Sequence, residues 1–385
     1  MIPYGRQEIT QADIDAVVSA LQSTNLTQGP RITQFEDAVK AVCGARYALA
    51  TNSATSALHI ACLALELGAG DWLWTTPNTF VASANCALYC GARVDFVDID
   101  PKSYNLCPLR LEEKLKEAKA LGTLPKVVVP VHFSGQSCDM RAIRALSHEY
   151  GFKVIEDASH AIGGKYQGHY IGGCSYSDIT IFSFHPVKII TTAEGGMAVT
   201  NDPQLAEKMG LLRSHGITRE PHLMTHEMDG PWYYQQVDLG FNYRMTDLQA
   251  ALGVAQIERL DEFVNKRHLL AQRYNKKLQH LPLTLPYQHP DCYSAYHLYV
   301  VRVQLDRIKA KHVDIFTAMR EAGIMVNLHY IPVHTQPYYR NLGFQVGQFP
   351  EAEQYYQEAI SIPLFPGLTE AQQDFVIDKL QELLV

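Results

Sequence analysis

No run in this chain is apolar and long enough to cross a bilayer, and its opening residues, MIPYGRQEIT, lack the basic and apolar regions of a secretion signal. The expectation is a soluble, cytoplasmic protein with no membrane partner. Lysine and arginine never form a block, and the formal charge is −7. That balance argues against nucleic acid as a partner while leaving room for a local phosphate pocket. The eight cysteines (43, 62, 86, 90, 107, 138, 174 and 292) are scattered without a C-x-x-C pair, and read as reduced structural thiols. Cys86 and Cys90, one helical turn apart, read as core packing. Sixteen histidines are present, none in an H-E-x-x-H or similar zinc spacing, so no metal is expected. No glycine fingerprint follows the first strand, which argues against an NAD oxidoreductase. Repeats and low-complexity tracts are also absent.

What is present is an ordinary globular composition, 47% hydrophobic and 19% charged, over 385 residues. That length is enough for two domains with a sizeable core. Ile14, Val17, Val18 and Leu21 predict a helix after Thr10, and a second begins near Arg31, past the Leu26-Thr-Gln-Gly-Pro30 loop. From there strands and helices alternate. Strands are predicted over 47–52, 72–76, 93–98, 126–131, 153–157 and 179–184, with Met197–Thr200 as a neighbour of the last. Helices are predicted from Ser53, from Asn78, and over 109–120, 139–150 and 203–213. Such alternation means a mostly parallel sheet covered on both faces, with ligands at the carboxyl ends of its strands. His132, Asp157 and the Asn52–Thr55 turn all fall at such ends. Gly216–Val237 is irregular, and Thr246 with Gln249 forms a capping box for the next helix. From about Ala255 the pattern becomes a smaller α+β unit, with a long helix, a strand over 296–303, a helix near 313–322 and a strand over 326–330. The expected division is a large domain of residues 12–254 and a small one of residues 1–11 with 255–385.

Chemistry concentrates at Ser183–Gly196, SFHPVKIITTAEGG, where Lys188 stands among Pro186, Val187, Ile189 and Ile190. A lysine so placed either lays its stem on an apolar surface or is held partly desolvated, able to act as a neutral nucleophile. Asp157 ends an apolar strand upstream, and the two at neighbouring strand ends are the pair that pyridoxal phosphate requires. Ser53 and Thr55 open a helix whose free amides suit an anion.

These stretches together resemble the sugar aminotransferases of the DegT/DnrJ/EryC1/StrS type. The likeness is carried by NSATSAL (52–58), EDASHAIG (156–163), SFHPVK with EGG (183–196), RSHGI (213–217), GFNYR (240–244) and HLYV (297–300). The resemblance implies an α/β, fold type I pyridoxal-phosphate enzyme, with pyridoxamine phosphate as the intermediate carrier of the amino group. Lys188 is then the cofactor's covalent anchor and the acid and base of the proton shift, and Asp157 pairs with the pyridine nitrogen. His160 lies near the ring or its phenolic oxygen, and Phe80 packs on the ring. Ala54, Thr55, Ser183 and Asn242 hold the phosphate, with Asn242 supplied by the other subunit of a homodimer. Tyr4, Thr27, Gln28, Arg244 and His329 fall where the family contacts its nucleotide sugar.

Within the family, LTQGP, NSATSAL and SFHPVK followed by ITTAEGG point to the pseudaminic acid branch. The implied reaction moves an amino group from glutamate to C4 of a UDP-linked 4-keto-6-deoxy-N-acetylhexosamine. Alternatives are an aminotransferase for another 4-keto sugar, of legionaminic acid or perosamine type, and a non-catalytic sugar-binding regulator on the same fold. Related sugar dehydratases carry histidine in place of the lysine, and the presence of Lys188 counts against that reaction.

Overall fold

The computed structural model describes residues 1–385. A seven-stranded sheet forms its centre: β1 (Tyr47–Thr51), β2 (Trp72–Thr75), β3 (Arg93–Phe96), β4 (Val127–Val128), β5 (Lys153–Asp157), β6 (Ile179–Ser183) and β7 (Gly196–Thr200). Their spatial order is β1-β7-β6-β5-β4-β2-β3, and every pairing is parallel except the two made by β7. β6 (ITIFS) and β7 (GMAVT) are buried along their whole length, which is why apolar residues fall on both faces of each. Because successive side chains alternate, Ile179 and Ile181 of β6 enter one core with Leu58, Leu73 and Phe96. Phe182, on the opposite face, enters another with Phe35, Met197 and Phe263.

Helices α1 (Gln11–Leu21), α2 (Pro30–Cys43), α3 (Ala54–Ala64), α4 (Ala82–Tyr89), α5 (Pro108–Leu121), α6 (Met140–Tyr150), α7 (Pro203–Arg213) and α8 (Asp247–Ile257) accompany this sheet. The capping box expected at Thr246 and Gln249 is formed. Beyond α9 (Leu260–Leu278) comes a three-stranded antiparallel sheet of β8 (Leu283–Thr284), β9 (Tyr299–Val303) and β10 (Ala359–Ile362). It shares a core with α9, α10 (His312–Glu321) and α13 (Glu370–Leu384), α11 (Pro337–Asn341) and α12 (Pro350–Glu358) lying between. The chain's start returns here, since Ile2–Pro3 pairs in parallel with Ile324–Met325.

Two predicted elements are displaced, and both displacements shape the site. The helix expected from Asn78 starts at Ala82. Asn78 instead spends its side chain on distant backbone, donating to Tyr104 O (3.3 Å) and accepting from Tyr330 N (3.2 Å), which holds Asn78–Phe80 as a turn. The strand expected over 326–330 ends at Met325, with one further bridge from Asn327 to Ser361. Past it the backbone finds side-chain partners rather than a ladder: Tyr355 Oη donates to His329 O at 2.7 Å.

Candidate active site

The polar residues of the large sheet meet at the carboxyl ends of β1, β5 and β6. At the first, β1 runs straight into α3, whose cap Ser53 accepts from Ser56 N (3.1 Å). The amides of Ala54 and Thr55 are the first in the helix, and helix geometry gives them no intrahelical acceptor. β7 begins hard against this turn. A Cβ on Gly196 would stand 2.5 Å from Ala54 N and Ser53 C, so only glycine allows the approach.

Asp157, last residue of β5, is buried, and its carboxylate is gripped from two sides. Ser83 Oγ donates to Oδ2 (2.6 Å) and Ser159 N to Oδ1 (3.1 Å). Lys188 lies on the loop from β6 to β7 and is half-buried. Burial draws its ammonium down to about 8, and the nearby Asp157 carboxylate opposes that shift. His160 is buried, and its Nδ1 accepts from Ser134 N (3.2 Å) while Nε2 lies 3.1 Å from Tyr330 Oη. Burial first, then the charges of Lys188 and His329, hold its basicity well below that of a free imidazole. His329 falls to about 3 for the same reason, burial reinforced by Lys188. Its Nδ1 pairs with Ser361 Oγ (2.8 Å) and its ring packs on Tyr4.

One cavity of about 550 Å³ gathers Tyr4, Ala54, Thr55, Phe80, Asp157, His160, Ser183, Lys188 and His329. The other proposed ligand residues lie outside it. Asn242 is exposed, bridges Ser214 and accepts from Asn52 Nδ2 through its carbonyl (3.4 Å), while Arg244 bridges Thr51. Gln28 donates to Met245 O (3.3 Å), with Thr27 exposed beside it. His132 also turns away from the cavity, bonding Glu156 Oε2 (2.7 Å) behind the sheet.

Sequence reasoning missed Ser83, Ser159, Asn327 and Tyr330, and left His297 without a role although HLYV contains it; all five line the cavity. Ser159 stood in plain view inside EDASH. Ser83 and Tyr330 carried no local signal, because their partners Asp157 and His160 are 74 and 170 residues away. No arginine lines the cavity, and Lys188 is its one lysine.

The cavity fits pyridoxal phosphate. A lysine of lowered basicity faces an anchored carboxylate, and the glycine-cradled start of α3 presents amides to a phosphate. Fold and site define a pyridoxal-phosphate-dependent transaminase. Residues 7–381 match the DegT/DnrJ/EryC1/StrS aminotransferase family, and the chain belongs to it. It is 39% identical to the spore coat polysaccharide biosynthesis protein SpsC of Bacillus subtilis, over 100% of this chain and 97% of that protein. It is 37% identical to a UDP-4-amino-4,6-dideoxy-N-acetyl-beta-L-altrosamine transaminase of Campylobacter jejuni, over 100% and 98% respectively.

Among solved structures, Helicobacter pylori PseC, an aminotransferase involved in pseudaminic acid biosynthesis, superposes with a TM-score of 0.90 at 30% identity, covering 100% and 99% of the two chains. The PLP-form of the putative sugar aminotransferase Spr1654 from Streptococcus pneumoniae does so at 0.88 and 28%, covering 100% of both, and its PMP-form matches at 0.89. The fold is therefore that of fold type I enzymes, and the protein is a nucleotide-sugar aminotransferase using pyridoxal phosphate.

Proposed function

We propose that this enzyme transfers the amino group of L-glutamate to C4 of a UDP-linked 4-keto-6-deoxy-N-acetylhexosamine, UDP-2-acetamido-2,6-dideoxy-beta-L-arabino-hex-4-ulose, in pseudaminic acid biosynthesis. The observation that carries the reading is full-length likeness to the Campylobacter transaminase, joined to a cavity that keeps Lys188 opposite Asp157. The cofactor, when bound, supplies the electron sink that makes a carbon-bound proton removable. The chain does the rest. Lys188 anchors the cofactor and, once released, moves the proton, a task that a basicity near 8 suits because a usable fraction is neutral at physiological pH. Asp157, fixed by Ser83 and Ser159, holds a proton on the pyridine nitrogen. Ala54, Thr55 and Ser183 receive the phosphate, and Phe80 covers one side of the ring. Tyr4 and His329 border the sugar.

The remaining ligand residues support a homodimer. Phosphate, diphosphate and glutamate carboxylates bring several negative charges to a cavity with one lysine and no arginine of its own. Asn242 and Arg244, exposed or half-exposed beside the β1–α3 turn, are proposed to complete a partner's site, with Thr27 and Gln28 at the sugar end. We assign residues 12–254 to cofactor binding and 1–11 with 255–385 to the small domain. Pairing of Ile2–Pro3 with Ile324–Met325 and donation from Leu364 N to Tyr4 O (2.9 Å) support that division. No helix is long and apolar enough to cross a membrane, which suits a cytoplasmic enzyme acting on nucleotide sugars.

A second reading keeps the chemistry and changes the acceptor. The 39% identity to SpsC, a protein named for spore coat polysaccharide biosynthesis, fits an acceptor from another glycan, and we keep a second 4-keto sugar, of legionaminic acid or perosamine type, as the alternative. Purified protein incubated with glutamate and a panel of UDP- and GDP-linked 4-keto sugars separates the two by product mass and configuration at the aminated carbon. The UDP-linked N-acetyl sugar is expected to react fastest. Amination of a GDP sugar alone would overturn the pathway and keep the enzyme class. Lys188→Ala is expected to lose the visible absorbance of lysine-bound cofactor together with turnover.

A further inference from the structure

The hydrogen bonds around His160 determine where a second side chain must send its proton. A backbone amide can only donate, so Ser134 N makes His160 Nδ1 an acceptor. The single proton of the neutral imidazole then sits on Nε2, pointing at Tyr330 Oη 3.1 Å away. Tyr330 therefore accepts from His160, and its own hydrogen is left to serve another group. The hydroxyl makes no other hydrogen bond within the chain. Its ring is set edge-on to Phe133 and its backbone N is held by Asn78 Oδ1, so the side chain is placed rather than free. Burial, with the Asp157 charge adding to it, raises the phenol's pKa, so the proton is retained.

We infer that Tyr330 donates a hydrogen bond into the cavity, to an oxygen beside Lys188 that carries or develops negative charge, and that His160 is the positioning residue that aims it. The inference deepens the proposed function and rests on its reading of this cavity as the place where cofactor and sugar meet. Two oxygens have the required chemistry: the ring oxygen of the cofactor and the keto oxygen of the acceptor sugar.

Tyr330→Phe removes one oxygen atom and keeps the ring, and melting of the purified variant checks that the fold survives. A donor on the cofactor's ring oxygen favours its deprotonated form. If that oxygen is the target, the pH-dependent visible transition of the loaded, sugar-free variant should move up by about one unit. If the keto oxygen is the target, the transition and the glutamate half-reaction stay as in wild type, and the sugar half-reaction slows about ten-fold or more. In either case His160→Phe should reproduce the effect, and the double variant should add nothing to it. Wild-type behaviour of Tyr330→Phe in both measurements would overturn the inference, and fully additive effects of the two substitutions would overturn the role of His160. Failure of wild type itself to take up cofactor or aminate a sugar would instead strike the functional reading beneath.

Discussion

The basicity of Lys188 is lowered at the expense of the folded protein. Its ammonium titrates near 8 in the fold against an ordinary 10.5, so below about pH 8 the native state carries the full desolvation cost. As pH rises from 8 to 10.5 the unfolded chain binds more protons than the folded one, and the cost disappears. Apo Lys188→Met is therefore expected to be more stable than apo wild type at neutral pH, by up to about 3 kcal/mol. Denaturant melts from neutral to alkaline pH should show that gap closing, and capture of added cofactor by wild type should quicken through about pH 8. A gap independent of pH would refute the assignment. Lys188, Asp157 and His160, which line one cavity, could be picked out from the sequence because each lies in a contiguous motif. Ser83 and Tyr330 were not, since nothing near them in the chain reveals the carboxylate or imidazole they meet.

Between elements, the close constraint nearest the site is the packing of β7 on the start of α3. The Cβ of Gly196→Ala would press on backbone atoms at 2.5 Å, and backbone cannot swing aside as a flexible side chain does. The substitution is expected to cost about 2 kcal/mol or more and to weaken cofactor binding ten-fold or more by shifting the phosphate turn. Thermal melting and cofactor titration measure the two effects. Gly68→Ala, whose Cβ meets no atom within 4 Å, is the control that should change neither. Alternating strands and helices were readable from periodicity because buried parallel strands are apolar on both faces. The late start of α4 and the short strand at Ile324 were not, because side chains of Asn78 and Tyr355 replace the backbone partners that regular elements use.

For the whole molecule, charge makes the strongest demand. A cavity with one lysine and no arginine of its own is proposed to borrow Asn242 and Arg244 from a second copy. Inactive Lys188→Ala and inactive Asn242→Ala, mixed and allowed to exchange subunits, should then regain activity. Half the dimers would be mixed, each with one intact site, so about a quarter of wild-type turnover is expected. Steady-state assays with light scattering test this, and a monomer, or a mixture as dead as its components, would refute the shared site.

The amino-acid sequence by itself determined the reaction class. An aspartate ending one strand, a lysine after the next and a hydroxyl-rich helix start are local features, and local features survive being read in order. Only the tertiary structure decided which groups those residues face. It closed Ser83 and Ser159 on Asp157, neutralised His160 between Ser134 and Tyr330, and left Asn242 and Arg244 outside the cavity. Burial and hydrogen-bond partnership arise from segments far apart in the chain, and these set the charge and direction of each group.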